Sequence, residues 1–131
     1  MPTPYPQRLA GTLELTIRAL EGERTDAESL ADLQGALTQL LDESSDALPG
    51  ASPIHPGRVA QSLLSTALPL LTALAALREG EERAQQLHVL LPFPIHLMIG
   101  GTLRLCVHLL GTAHGYSLTW SRRLTGEGRA A

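Results

Sequence analysis

Nineteen consecutive residues without a charge, 59–77, constrain the fold of this chain more than any other stretch. Within them Val59, Leu63, Ala67, Leu70, Leu74 and Leu77 recur at helical spacing. Leu64, Leu68, Leu71 and Ala75 widen that stripe past half the circumference, so the helix must be covered on more than one side. Pro56 suits its first turn, where a missing N–H costs nothing. Pro69 removes the bond to the Ser65 carbonyl and is expected to bend the axis, and Gly80 is expected to end the helix. Downstream, residues 86–91, 95–99 and 102–110 are three short segments separated by Pro92-Phe93-Pro94 and by Gly100-Gly101. In the last of them Leu103, Leu105, Val107 and Leu109 alternate with Arg104, Cys106 and His108, which is the period of a strand. The pattern predicts an α+β fold in which an antiparallel meander packs against the long apolar helix. The alternative is an all-α bundle.

The amino-terminal half carries competing signals. Leu9, Leu13, Ile17 and Leu20 fall at helical spacing, yet Leu13, Leu15, Ile17 and Ala19 also alternate with Thr12, Glu14, Thr16 and Arg18. The β-branched content of residues 6–20 favours a strand. Thr25, Asp26, Ala27 and Glu28 have the spacing of a capping box, and Leu30, Leu33, Leu37, Leu40 and Leu41 then follow on one helical face. Gly35 offers that helix an early stop, which would leave residues 36–41 for a strand. Residues 44–57, rich in Ser, Asp, Pro and Gly, read as a loop or short hairpin, and residues 125–131 as a frayed tail.

A chain of 131 residues with 44% hydrophobic content fits one domain, with residues 1–25 as an extension or first element and residues 36–124 as the core. Aromatics are only 3%, so that core is aliphatic. Residues 1–50 hold three Arg against nine acids, a net of −6, whereas residues 51–131 hold seven Arg against four acids, a net of +3. The acidic half argues against a surface that tracks phosphates, so nucleic acid is not expected as a partner. Trp120 beside Arg122 and Arg123 reads as an amphipathic end that anchors the terminus. The single cysteine, Cys106, excludes an internal disulfide and suits a reducing cytosol. The first residues lack the basic start and apolar run of a secretory signal, and the expected location is cytoplasmic. Residues 59–77 and 84–103 approach the length needed to cross a bilayer. Their hydroxyls, glutamines, histidines, prolines and glycine pair make poor lipid-facing helices, so a membrane protein is the less favoured alternative.

Taken in order, a strand at residues 37–43, a turn at 44–46, a strand at 47–52, the apolar helix at 58–79, the three-strand meander and a last short helix after His114-Gly115-Tyr116 resemble the Roadblock / dynein light chain family. The resemblance covers about two thirds of the chain and is one of pattern, and the first hairpin lacks the usual Asp-Gly turn. It implies a five-stranded sheet with helices around it and a non-enzymatic, homodimeric platform that, in bacterial members, regulates or binds a Ras-like small GTPase. The apolar helix independently points to a second copy as its cover, with Leu63, Leu70, Leu74 and Leu77 as the expected interface residues.

No catalytic constellation is legible. Cys106 has no neighbouring His in a nucleophile pattern, and Glu81-Glu82 and Asp42-Glu43 read as solvated faces. There is no phosphate-cradling loop of the GxxxxGK type. Five histidines, His55, His88, His96, His108 and His114, suggest metal chemistry, and the combination open to the chain on a sheet is His96, Cys106 and His108. No close-spaced pair of ligands supports it, so no metal and no cofactor is expected.

Overall fold

The structure is a computed structural model that describes residues 3–22 and 26–126. Every regular element in it is a helix: α1 (Tyr5–Glu21), α2 (Ala27–Ala47), α3 (Pro56–Gln86) and α4 (Ile95–Thr125). The expected α+β sheet is absent among the described residues, and the all-α bundle takes its place. Helices pack in a closed ring, α1 on α2, α2 on α3, α3 on α4 and α4 back on α1. Cross-links fix an up-down-up-down course. Gln34 of α2 bonds Thr72 of α3, and Gln61 of α3 bonds Ser44 of α2 at 2.7 Å, so these helices run antiparallel. Arg8 near the start of α1 meets Glu43 near the end of α2, and Tyr5 stacks on Trp120 near the end of α4.

Each correction to the expected elements has a local cause. In α1 the residues that bury are Pro6, Leu9, Ala10, Leu13, Thr16 and Leu20, while Leu15 faces solvent, so helical spacing prevails over alternation. Residues 36–47 continue α2, whose Gly35 lies inside the helix with open space around it, and residues 48–55 form no strand. The cap of α2 is Asp26, whose carboxylate accepts from the Ser29 amide at 3.1 Å. Thr25, the expected cap, lies outside the described residues. Pro56 opens α3 as expected, but Gly80 does not close it, and the helix continues to Gln86. Pro69 lies on the exposed side of α3, where the Ser65 carbonyl that it leaves unpaired can be hydrated.

The meander became α4 because a second period runs through the same letters. Ile95, Ile99, Cys106, Leu110, Ala113, Ser117 and Trp120 are the buried residues, spaced by three, four and seven. Leu105, which the strand reading would place inward, is exposed, and Cys106, which it would place outward, is wholly buried. Gly100 and Gly101 cost that helix roughly 1 kcal/mol each relative to alanine, a penalty that the long contact with α3 outweighs. The strands that carried the Roadblock resemblance therefore do not exist among the described residues.

Leu13, Leu20, Leu30, Leu37, Leu64, Leu71, Leu74 and Leu110 form an aliphatic core shared by all four helices. At one end of it Trp120 packs against Tyr5 and edge-on against His55, with ring centroids at 5.4 and 5.6 Å. There the helices end nearly flush. Tyr5 donates to the Leu40 carbonyl, and burial, with help from the Glu43 carboxylate, pushes its hydroxyl up to about 12. At the other end they do not. By the Gln34–Thr72 register α2 begins opposite residue 79, so α3 extends about 10 Å past it, and by the Tyr5–Trp120 register α4 extends about 13 Å past the end of α1. The α3–α4 hairpin thus projects beyond the shorter pair.

Candidate interaction site at the hairpin tip

The turn that closes α3 is built from backbone bonds. The Leu87 amide donates to the Arg83 carbonyl, that of His88 to Gln85, and that of Val89 to Ala84 at 2.9 Å. The last two bonds are those of a Schellman motif, and its left-handed position is filled by His88 at φ 54, the only non-glycine residue at positive φ among the described residues. Pro92 and Pro94 then restrict the rest of the loop. Pro94, at φ −78 and ψ 76, sits at the centre of an inverse γ-turn closed by the Ile95 amide on the Phe93 carbonyl at 2.9 Å. Its own carbonyl accepts from Leu97 and Met98 in the first turn of α4.

This loop holds apolar side chains in water. Leu90 is 95% exposed, Leu97 73% and Leu87 65%, and Val89, Phe93 and Met98 are exposed beside them. Half of the twelve exposed large hydrophobic residues among the described residues thus fall within residues 87–98. Behind the loop lies an open concavity of about 590 Å³, lined among others by Leu90, Phe93, Ile95, His88 and His96.

At its base sits a polar cluster. Glu81 is only 8% exposed. Its Oε1 accepts from the Arg78 guanidinium at 3.2 Å, and its Oε2 lies 2.9 Å from His96 Nδ1. The His96 contact meets the distance of an ion pair but not the geometry of a hydrogen bond, which leaves Glu81 Oε2 and Arg78 Nε without bonded partners. Glu81 was legible as more than a solvated acid, because Leu64, Ala67, Leu71, Leu74 and Glu81 fall on one buried stripe.

The sequence-derived candidates are placed elsewhere. Cys106 is sealed in the core, where burial pushes its thiol up to about 11. His96 and His108 are both exposed on α4, twelve residues or about 18 Å apart along the axis, and His96 turns toward Glu81 of α3. The three do not converge, and no group of three or more His, Cys, Asp or Glu is placed to hold a metal ion among the described residues. His55 is a helix cap: its Nδ1 accepts the Gly57 amide at 2.9 Å. Of the expected interface leucines, Leu74 is wholly buried in the core of its own fold and Leu63, Leu70 and Leu77 are half-buried against that core.

Both α3 and α4 are long and apolar enough to cross a membrane, with mean hydropathy of 1.5 and 1.3 over their most apolar windows. Only 28% and 22% of the residues in those windows are buried in the bundle. About three sevenths of the residues of a bundle helix face its core, so burial in both windows falls short of that share and part of their apolar surface is left uncovered. Comparison with protein-family models, with characterised proteins and with solved structures finds no match to this chain.

Proposed function

We propose that this protein is a non-enzymatic interaction module: a cytoplasmic four-helix bundle that works by presenting the tip of its α3–α4 hairpin to a partner. The observation that carries this reading is the concentration of exposed large apolar side chains in residues 87–98, on a loop whose shape is set by a Schellman turn and two prolines. A monomer gains nothing by holding Leu90 and Leu97 in water, whereas a docking element does. The dimer platform expected on α3 receives less support, since its leucines face their own neighbours. Self-association is then one form that docking through the tip can take.

The reading is tested by apolar-dye fluorescence and light-scattering mass on the intact chain and on Leu90→Asp. Leu90 makes almost no contact, so the variant keeps the helical signal and melting temperature of the parent. The parent binds the dye, or associates, and the variant loses most of that response. A monomeric parent whose dye response is unchanged in Leu90→Asp would refute docking through the tip.

A further inference from the structure

Resting on the docking reading above, we infer that the occupant of the tip is the interfacial region of a lipid bilayer, entered by residues 87–98 while the rest of the bundle stays in water. Area is the first argument. The fractional exposures of Leu87, Val89, Leu90, Phe93, Leu97 and Met98 correspond to roughly 600 Å² of apolar surface, at the top of the range for the largest patch on a monomer. Two tips meeting end to end would bury at most that much per copy, below the roughly 800 Å² per partner of stable complexes, and only if a projecting loop were complementary to itself. Lipid conforms to the loop and covers it whole.

Charge gives the second argument. Residues 84–103 contain no Asp, Glu, Lys or Arg, and the first charges on either side are Arg83 and Arg104. The one buried carboxylate near the tip, Glu81, is bonded to Arg78. Arg83 pairs with Glu79 at 3.5 Å, and the single exposed Arg104 would add only about 1 kcal/mol on an anionic surface, so apolar insertion rather than attraction to anionic headgroups is the driving term.

Depth gives the third. The last turns of α3, residues 79–86 with Glu79, Glu81, Glu82 and Arg83, span the about 10 Å past α2 and stay in water, so only the uncharged cap beyond them, residues 87–98, is free to enter the roughly 5–10 Å of the headgroup and acyl boundary. The backbone suits that depth and no greater one. Leu87, His88, Val89, Ile95, Leu97 and Met98 amides are bonded and Pro92 and Pro94 have none, which leaves Leu90, Leu91, Phe93 and His96 to be hydrated. Four free amides are costly in hydrocarbon and inexpensive among headgroups. Complete crossing by α3 and α4 is opposed by their neighbours, because the charged α2 packs along α3 and the charged α1 along α4 for more than half of their length. The exposed surface of α3 also presents Ser62, Ser65 and Thr66, a poor surface for lipid.

The experiment is flotation of the full chain with vesicles of phosphatidylcholine, and of phosphatidylcholine with an equal part of phosphatidylglycerol, with light-scattering mass measured in parallel without lipid. The parent floats with both compositions, and Leu90→Asp and Leu97→Asp lower its partition coefficient by about tenfold or more. Ile54→Asp, 85% exposed at the opposite end of the bundle, leaves it unchanged. A Leu90→Trp variant blue-shifts on binding and is quenched by brominated lipid. Flotation that requires phosphatidylglycerol, or that Ile54→Asp impairs as much as Leu90→Asp does, overturns insertion through the tip. Failure to float, together with a multimeric mass that Leu90→Asp abolishes, overturns the lipid partner and leaves the docking reading standing. Failure in both measurements overturns both.

Discussion

Gly57 is the position at which this bundle has least room. A Cβ there would stand 2.7 Å from Leu48 Cδ2 and 2.9 and 3.0 Å from the Trp120 ring atoms Cε3 and Cδ2. Leu48 and Trp120 are both 3% exposed, and Trp120 is held between Tyr5 and the edge of His55. Gly57→Ala thus forces the start of α3 away from the end of α4. Overpacking of this kind costs about 1–3 kcal/mol. The gain in helix propensity is at most about 1 kcal/mol, and less in a first turn. The net expectation is a loss of about 1–2 kcal/mol, or roughly 4–10 °C in Tm for a chain of this size.

The assay is thermal and urea unfolding followed by circular dichroism, with Gly35→Ala and Gly80→Ala as references. Both reference glycines lie inside helices with nothing within 4 Å of a built Cβ, so each alanine is expected to raise stability by about 0.5–1 kcal/mol. A Leu48→Ala background separates the two clashes. If Leu48 bears most of the strain, the double variant is less destabilised than the sum of the singles by more than about 0.5 kcal/mol, and if Trp120 bears it the effects add. Gly57→Ala melting with or above the parent would refute the close approach of α3, Leu48 and Trp120.

Three further outcomes follow from single groups. His88→Gly removes a left-handed strain of about 1 kcal/mol at the α3 C-terminus and is expected to raise the urea midpoint slightly; a fall would mean that the ring itself holds the tip together. Cys106, with no exposure and a thiol pushed up to about 11, is expected to resist iodoacetamide at pH 8 in the folded protein and to react at once in urea, and rapid native labelling would contradict its place in the core. The pKa of His55 is lowered first by desolvation and then by Arg123 and Arg58, so the folded state prefers the neutral ring whose Nδ1 caps α3. Its contribution is complete above the unfolded value of about 6.5 and is lost as pH falls through that value toward the depressed one, by no more than the roughly 1 kcal/mol of one cap. His55→Asn keeps an acceptor and should flatten that part of the stability profile, and an unchanged profile would refute the assignment.

An exposed tip and a crowded Gly57 stand at opposite ends of one hairpin, and the difference explains how the molecule divides its tasks. At the flush end, Tyr5, His55 and Trp120 bring three helices together over little more than backbone. At the other, α1 and α2 stop short and leave the last turns of α3 and the first of α4 to meet only each other. The polar cluster of Arg78, Glu81 and His96 lies at that level, where the aliphatic core has run out of neighbours.

The sequence by itself determined the elements whose periodicity allowed one solution. Leu30 marks the buried face at the start of α2, Pro56 starts α3, and the uncharged run of 59–77 lies within one long helix, all as their spacing required. It also showed where charge is missing, in residues 84–103. Tertiary structure alone decided the segments in which two periods coexist. Leucines at 103, 105, 107 and 109 satisfy a strand only if a partner strand exists, and the same stretch satisfies a helix through Ile99, Cys106 and Leu110 once α3 offers a matching groove. Residues 6–20 were settled in the same way, by packing against α4 and α2 that no local preference encodes. Whether an apolar residue lies inside or outside is likewise a property of the assembled lengths. Leu71 and Leu90 have the same side chain, and only the early ends of α1 and α2 leave the second of them in water.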